Sequence, residues 1–145
     1  MFSKNKTRFE VEIVKSGLMG TSLYINAKIG NEVFDKAMKC HLDEEEKTIY
    51  LDDICIEGNT SGFFGFLHEY QNYINKGYGS QMMEILLKYA KDNSYKTIVG
   101  KLVCNDNGIE SINKHRERQI HFYKKFGFKI LPSEECPNEI ELILE

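Results

Sequence analysis

At Tyr73-Ile74-Asn75-Lys76-Gly77-Tyr78-Gly79-Ser80-Gln81 the sequence makes a turn with two glycines that leads directly into an amphipathic run from Met82 to Ala90. A helix that begins in this way points backbone amides without an intrahelical partner toward the turn. Those amides and the helix dipole favour a bound anion, and phosphate is the obvious candidate. Two glycines before a helix also occur in ordinary loops, so the turn alone does not separate the two interpretations.

Length and composition indicate one folded domain, which we expect to cover residues 1–145. Hydrophobic residues make up 41% and charged residues 28%, as in folded rather than disordered proteins. The net charge of -3 gives no general attraction to nucleic acid or to an anionic membrane surface. No apolar stretch approaches the roughly 20 residues that span a bilayer. We therefore expect a cytoplasmic protein without nucleic-acid or membrane partners.

The four cysteines are scattered along the chain, with no CxxC or Cys/His spacing. They are Cys40, Cys55, Cys104 and Cys136. This pattern favours buried or free thiols over a disulfide framework or a metal site. An acyl-enzyme on Cys55 is disfavoured, because no histidine at a motif-like spacing supports an activated thiol.

Alternating apolar residues predict a series of strands in the first part of the chain. Phe9 to Ile13 indicates a strand with one buried face, and Leu23 to Ile29 a second strand that pairs with it as a hairpin. The pattern in Phe34 to Leu42 predicts a third strand, but more weakly than the first two. In Thr48 to Glu57 the apolar phase shifts at Asp52-Asp53, which a β-bulge and an early strand end explain about equally well.

The helix after the glycine turn should stop near Asp92-Asn93, where Asn tolerates a left-handed cap. Thr97 to Cys104 carries few charges, as expected for a strand covered on both faces. Strand, helix and strand make a βαβ unit with parallel strands, and the glycine turn lies where such sheets bind ligands. A second helix from Ile112 to Phe126, capped by Gly127, precedes two short strands.

The connection from Gly58 to Asn72 is rich in glycine and aromatic residues. So long a connection in a small domain is often a binding loop, although it can also hold a short element of its own. Its aromatic side chains are either core or the walls of a pocket, and packing is the commoner role.

Two motifs, together with the order of elements, resemble the GNAT superfamily of acetyl-CoA-dependent N-acetyltransferases. Ile74-Asn75-Lys76-Gly77-Tyr78-Gly79 is similar to the family's cofactor motif, which is Arg or Gln, two residues, Gly, one residue, then Gly or Ala. Ile74 departs from it. Phe122-Tyr123-Lys124-Lys125-Phe126-Gly127-Phe128 is similar to the signature that ends the family's last helix. The two motifs in this order are much more specific than either alone.

The resemblance implies an α/β (α+β) fold. Its central sheet would be mixed and largely antiparallel, with a central βαβ unit and flanking helices. A bulged fourth strand is a family trait, which makes a bulge at Asp52-Asp53 the favoured explanation of the phase shift.

The resemblance also implies direct transfer of an acetyl group from acetyl-CoA to a primary amine of a small molecule or a protein. The expected cofactor-binding residues of the turn are Ile74, Asn75, Lys76, Gly77, Tyr78, Gly79 and Ser80. The backbone amides of Lys76 to Ser80 would bind the pyrophosphate. The strand at Cys55 and Ile56 would hold the thioester and pantetheine through its main chain. Tyr123 would protonate the departing thiolate.

The attacking amine must lose a proton, and Asp52 and Asp53 are the candidate bases. Glu57, His68 and Glu69 border the long connection and are rivals. Any single one of these groups is more often a solvated surface group than a base.

An alternative function uses the same fold but catalyses no acetyl transfer. In that interpretation the chain is a module that binds coenzyme A or a protein partner without turnover, and the apolar Ile74 is its best support. A homodimer is compatible with either function.

Overall fold

A computed structural model of the protein describes residues 7–18, 20–54, 77–101, 117, 120–131 and 139–144, and at residues 53 and 54 it describes the backbone alone. The strands in these ranges are β1 (Thr7–Ser16), β2 (Gly20–Ile29), β3 (Glu32–Asp43), β4 (Thr48–Ile54), β5 (Thr97–Lys101), β6 (Lys129–Leu131) and β7 (Glu139–Ile143). They form one seven-stranded sheet in the order β1-β2-β3-β4-β5-β7-β6.

Helix α1 (Tyr78–Asp92) lies between β4 and β5 in the chain. A second helix, α2, covers residues 120–125. The β4–β5 pair is parallel, whereas the other neighbouring strands are antiparallel. The expected mixed sheet with a central βαβ unit and flanking helices is therefore confirmed. Among the described helices, none is long and apolar enough to cross a membrane.

Both helices pack on the same face of the sheet. The apolar side chains of α1 recur at helical spacing, and Met82, Met83 and Leu86 are fully buried. Tyr123 of α2 and Phe128 belong to the same core cluster as these residues. The strands contribute a further set to it, which includes Leu23, Ile25, Ala27, Met38, Cys40, Ile49, Leu51, Ile98 and Ile140. Each large side chain buried in this way stabilises the fold by about 1.5–3 kcal/mol.

The predicted bulge in β4 is present. Cys40 pairs with Leu51, and its neighbour Lys39 pairs with Asp53, so Asp52 is the extra residue in β4. An unpaired residue of this kind bends its strand and resets the alternation of side chains, which explains the phase shift in the sequence. The strand continues through the shift to Ile54, so the early end is excluded.

The predicted buried face of β1 is wrong for most of the strand. Val11 and Ile13 are 42% and 39% exposed, although they lie opposite the buried Ile25 and Leu23 of β2. Phe9 is the residue of β1 that packs against the core. β1 lies at the edge of the described sheet, where Val11 and Ile13 are less covered than the β2 residues opposite them, so its alternation is not matched by burial.

Both helices end in Schellman motifs, in which the two residues after the helix donate backbone hydrogen bonds to earlier carbonyls. At α2 Gly127 has φ 93°, and Phe128 N donates to the Tyr123 carbonyl over 3.1 Å. Gly127 is therefore the cap residue expected from the sequence. At α1 the left-handed residue is Ser94, with φ 62°, and not Asn93, whose φ is -110°. The Asn93 side chain instead donates to the Tyr89 carbonyl over 2.9 Å.

Candidate active site

The glycine turn ends in a left-handed residue at the start of α1. Gly77 has φ 82°, and Gln81 N donates the first helical hydrogen bond to its carbonyl over 3.0 Å. A Cβ at Gly77 would meet nothing within 4 Å, so the backbone conformation and not crowding calls for glycine here.

Nothing described at this end of α1 neutralises the positive end of the helix dipole. The first turn has no acidic residue, and no side chain of the described residues caps Gly77. This helix end therefore has the electrostatic character of an anion site.

Tyr123, the candidate general acid, lies in the core at the C-terminal end of α2. It is 7% exposed. Its ring meets those of Phe122 and Phe128 edge-on, at centroid distances of 5.2 and 5.4 Å. Aromatic pairs favour this geometry, and the close packing fixes the ring in one orientation.

The two sequence motifs meet in space. Lys125, two residues after Tyr123, donates a hydrogen bond from Nζ to Ser80 Oγ over 2.7 Å. Ser80 lies in the first turn of α1, directly after the second glycine of the turn. The aromatic signature of α2 is thereby tied to the N-terminal end of α1.

Asp52 faces a cavity on the other side of the sheet from α1 and α2. The cavity has a volume of about 600 Å³ and is open to solvent. Its lining residues are Thr48, Tyr50, Leu51, Asp52, Thr97, Val99, Gly100, Lys101, Glu139 and Glu141. Within the described residues this second face of β5 borders a cavity, so the expected covering of β5 on both faces is not seen there. Ile98 is buried against the helices, whereas Val99 is only half-buried.

The cavity is acidic, with three carboxylates against the single cation of Lys101. Desolvation at the bulge raises the pKa of Asp52, even though the side chain remains partly open to solvent. Electrostatic interactions with His41 and Lys39 lower the pKa of Asp52 and offset only part of that rise. A carboxylate with a raised pKa is a stronger base, which is the property that proton abstraction near neutral pH requires.

The predicted site residues divide into two groups within the described structure. Gly77, Tyr78, Gly79, Ser80 and Tyr123 lie on the helix side of the sheet, and Asp52 lies on the cavity side. Several predicted residues lie outside the described residues, namely Cys55, Ile56, Ile74, Asn75 and Lys76, together with the Asp53 side chain and the rivals Glu57, His68 and Glu69. Their roles stay predictions.

Sequence reasoning missed the contact of Lys125 and the two glutamates of the cavity. Lys125 stands inside the aromatic motif, but a lysine on a helix is usually solvated, and no one-dimensional signal shows that it reaches Ser80. Glu139 and Glu141 alternate with the buried Ile140, so their shared face was readable. The sequence did not show which strand lies beside them at the cavity. Among the described residues, no group of three His, Cys, Asp or Glu side chains could hold a metal ion.

The sequence model of the Acetyltransferase (GNAT) family matches residues 24–128. The chain belongs to the GNAT family. The match includes the bulge, the glycine turn, α1 and the aromatic signature of α2. The family and the acyltransferase class expected from the two motifs are thereby confirmed.

Relatives of the GNAT chain agree with this assignment. The chain is 26% identical over 131 residues to the "Probable N-acetyltransferase san" of Drosophila melanogaster. That alignment covers 88% of this chain but only 56% of the relative, so the chain spans little more than half of the relative's length.

Solved structures share the GNAT fold. A Bacillus subtilis acetyltransferase in complex with CoA has a TM-score of 0.58 at 15% identity, with 97% of this chain and 100% of that chain covered. An IAA acetyltransferase from Bacillus cereus has a TM-score of 0.54 at 14% identity, with 94% and 100% covered. At these identities the likeness concerns the fold alone.

Proposed function

We propose that this protein transfers an acetyl group from acetyl-CoA to a primary amine of a small molecule or a protein, directly and within one ternary complex. The observation that carries the proposal is the hydrogen bond from Lys125 to Ser80, which joins the aromatic signature to the glycine turn. The glycine turn and the aromatic signature can each be explained alone by an ordinary structural role. Their meeting at one helix end supports a shared acyl-CoA site.

The first turn of α1 is the proposed pyrophosphate site. The left-handed Gly77 directs the chain into the helix, and the amides that follow point toward the turn. The predicted contacts of Ile74, Asn75 and Lys76 complete this site in the proposal.

The thioester end of acetyl-CoA is proposed to lie along β4 beyond the bulge. The described ladder between β4 and β5 ends at the pair Leu51 and Gly100, one residue before Asp52. A strand that parts from its neighbour can offer main-chain groups to a ligand, as in β-strand addition. The predicted contacts of Cys55 and Ile56 follow directly after this point.

The chemistry needs a base for the amine and an acid for the leaving thiolate. Acetyl-CoA supplies the activated acetyl thioester. The nitrogen–carbon bond forms as the carbon–sulfur bond breaks. Asp52 is the proposed base, directly or through one water, and its raised pKa supports that role. Tyr123 is the proposed donor of the proton that the thiolate takes up.

The acidic cavity beside Asp52 is the proposed entry for the acceptor. A primary amine is a cation in solution, and the carboxylates of Glu139 and Glu141 favour its approach. Asp53 remains a second candidate base at the bulge.

The test is an acetyl-transfer assay on the purified chain. Acetyl-CoA is incubated with a panel of small primary amines, lysine peptides and peptide N termini, and the products are identified by mass spectrometry. We expect one acceptor class to gain an N-acetyl group, with one free CoA released per product.

The same panel separates the catalytic protein from a binding module. Acetyl-CoA at a hundred times its Kd should stabilise either one by about 2.7 kcal/mol. Stabilisation without transfer to any acceptor would favour the module, and no stabilisation would contradict both.

A further inference from the structure

His41 lies on the face of the sheet that carries the cavity, although it belongs to neither sequence motif. Its neighbours Cys40 and Leu42 are buried in the core, so the side chain of His41 points to the opposite face. His41 pairs with Tyr50, a residue that lines the cavity, and the two ring centroids are 6.3 Å apart. The imidazole is therefore placed beside the proposed entry for the acceptor.

The fold keeps a space for this imidazole. A Cβ at Gly20 of β2 would lie 2.9 Å from His41 Cε1, closer than real Cβ atoms approach a neighbour. A side chain at position 20 would therefore displace the ring. The ring of Tyr50 lies at a distance that is typical of aromatic pairs. Gly20 and Tyr50 together restrict where the imidazole can lie.

The bulge in β4 brings Asp52 close to His41. Asp52 is the extra residue of the strand, two positions after Tyr50, and it lines the same cavity. On one face of an antiparallel pair, the residue two positions from the direct partner is a diagonal neighbour. The two side chains are close enough to interact electrostatically, and His41 acts on the pKa of Asp52 in the direction opposite to desolvation.

We propose that His41 is a positioning residue for Asp52, and that its imidazolium form keeps the Asp52 carboxyl ionised when the pH falls below neutral. This inference rests on the proposed function, in which Asp52 is the base. An ordinary histidine side chain takes up its proton at higher pH than an ordinary carboxyl group does. A cation beside a carboxyl group favours the charged form. His41 thereby extends the working range of the base toward acid pH.

The same part of the sheet carries other ionisable groups, which every variant described below retains. Besides Tyr50 they are Tyr24 of β2, Lys39 and Asp43 of β3, Lys101 of β5, and Glu139 and Glu141 of β7. Lys39 acts on Asp52 in the same direction as His41. Because these groups are unchanged, a difference between His41 variants reports on the imidazole.

The first test measures the Asp52 carboxyl without any catalysis. Its carboxyl carbon is followed by ¹³C NMR from pH 3 to pH 8 in the ligand-free protein, and the signal is assigned by its loss in Asp52→Asn. In His41→Gln we expect the titration midpoint to move to higher pH, because the cation is lost. His41→Lys restores a positive charge and should return the midpoint toward the wild-type value. His121→Gln is the matched control, since it removes an exposed histidine from α2 on the other face of the sheet, and it should leave the midpoint unchanged.

The second test follows kcat/KM for acetyl transfer to one acceptor from pH 4 to pH 8. The ratio of variant to wild type removes the ionisation of the acceptor itself. For His41→Gln this ratio should fall toward low pH and reach about threefold below its value at pH 8. That factor is the effect of two opposite unit charges several ångström apart with full solvent screening, and Asp52 is exposed. A purely structural role of His41 would lower the ratio equally at every pH.

Two results would overturn the proposal. An Asp52 midpoint that is the same in His41→Gln and in the wild type would refute the influence of His41 and leave the proposed function intact. A ratio of His41→Gln to wild type that does not change with pH would assign His41 a structural role. Failure of the wild type to acetylate any acceptor would instead refute the proposed function, and a shifted midpoint in His41→Gln would then still support the coupling of His41 to Asp52.

Discussion

Replacing Asp52 by Asn should lower activity and raise stability at the same time. The substitution keeps the shape of the side chain at the bulge but removes its charge and its basicity. General bases contribute about a hundredfold to ten-thousandfold to turnover. We expect a loss near a hundredfold, at the low end of that range, because Asp52 is partly open to water that can take over part of its role.

The stability effect has the opposite sign, because the fold raises the pKa of Asp52 above its ordinary value of 3.8. The charged carboxylate is therefore less favourable in the folded state than in the unfolded chain. The stability linked to this group is fully present below pH 3.8 and is lost as the pH rises through the folded pKa. Asp52→Asn avoids this loss, so the variant should melt slightly higher than the wild type at pH 7 and equally at pH 3.

The assay uses an acceptor from the amine panel and follows kcat/KM from pH 5 to pH 9, and melting curves are recorded separately at pH 3 and pH 7. Glu141→Gln is the matched control, since it removes a carboxylate from the same cavity without touching the bulge. We expect this control to change KM more than kcat. Two results would refute the reasoning: turnover of Asp52→Asn within about threefold of the wild type, or an equal loss of kcat in both variants.

Three further substitutions and modifications test other parts of the account. Tyr123→Phe should lower kcat by about a hundredfold or more and leave the calorimetric Kd of acetyl-CoA within about twofold; unchanged turnover would rule Tyr123 out as the acid. Ser94→Gly should stabilise the protein by about 0.5–1 kcal/mol, a rise of about 2 °C in Tm, because glycine relieves the left-handed conformation; a lower Tm would argue against the cap geometry. Cys40 should resist iodoacetamide in the folded protein, because burial raises the pKa of its thiol; peptide mass spectrometry that finds it labelled as fast as in urea would contradict this.

Much of the fold was predictable because the signals are local. The bulge at Asp52 appears as a phase shift in the alternation, and Gly127 marks the end of α2 because few residues tolerate its φ of 93°. The parallel pairing of β4 and β5 follows from a helix between two strands. The position of the glycine turn at the start of α1 was readable for the same reason.

The predictions that were wrong or missing concern features that tertiary packing determines. The alternation in β1 shows which residues share a face, but an edge strand with little packed against it leaves Val11 and Ile13 exposed. Asn has the higher left-handed propensity, yet the chain geometry after α1 gives that conformation to Ser94. The contact between Lys125 and Ser80 depends on how two helices meet on one sheet, and no local pattern encodes it.

The central claim is that the first turn of α1 binds the pyrophosphate of acetyl-CoA. The most direct measurement is the change in backbone amide chemical shifts on titration of the ¹⁵N-labelled protein with CoA. We predict that the largest shifts occur at Gly77 to Ser80, and that adenosine without phosphates leaves these amides unmoved. Saturable binding of CoA with unchanged shifts at Gly77 to Ser80 would contradict it.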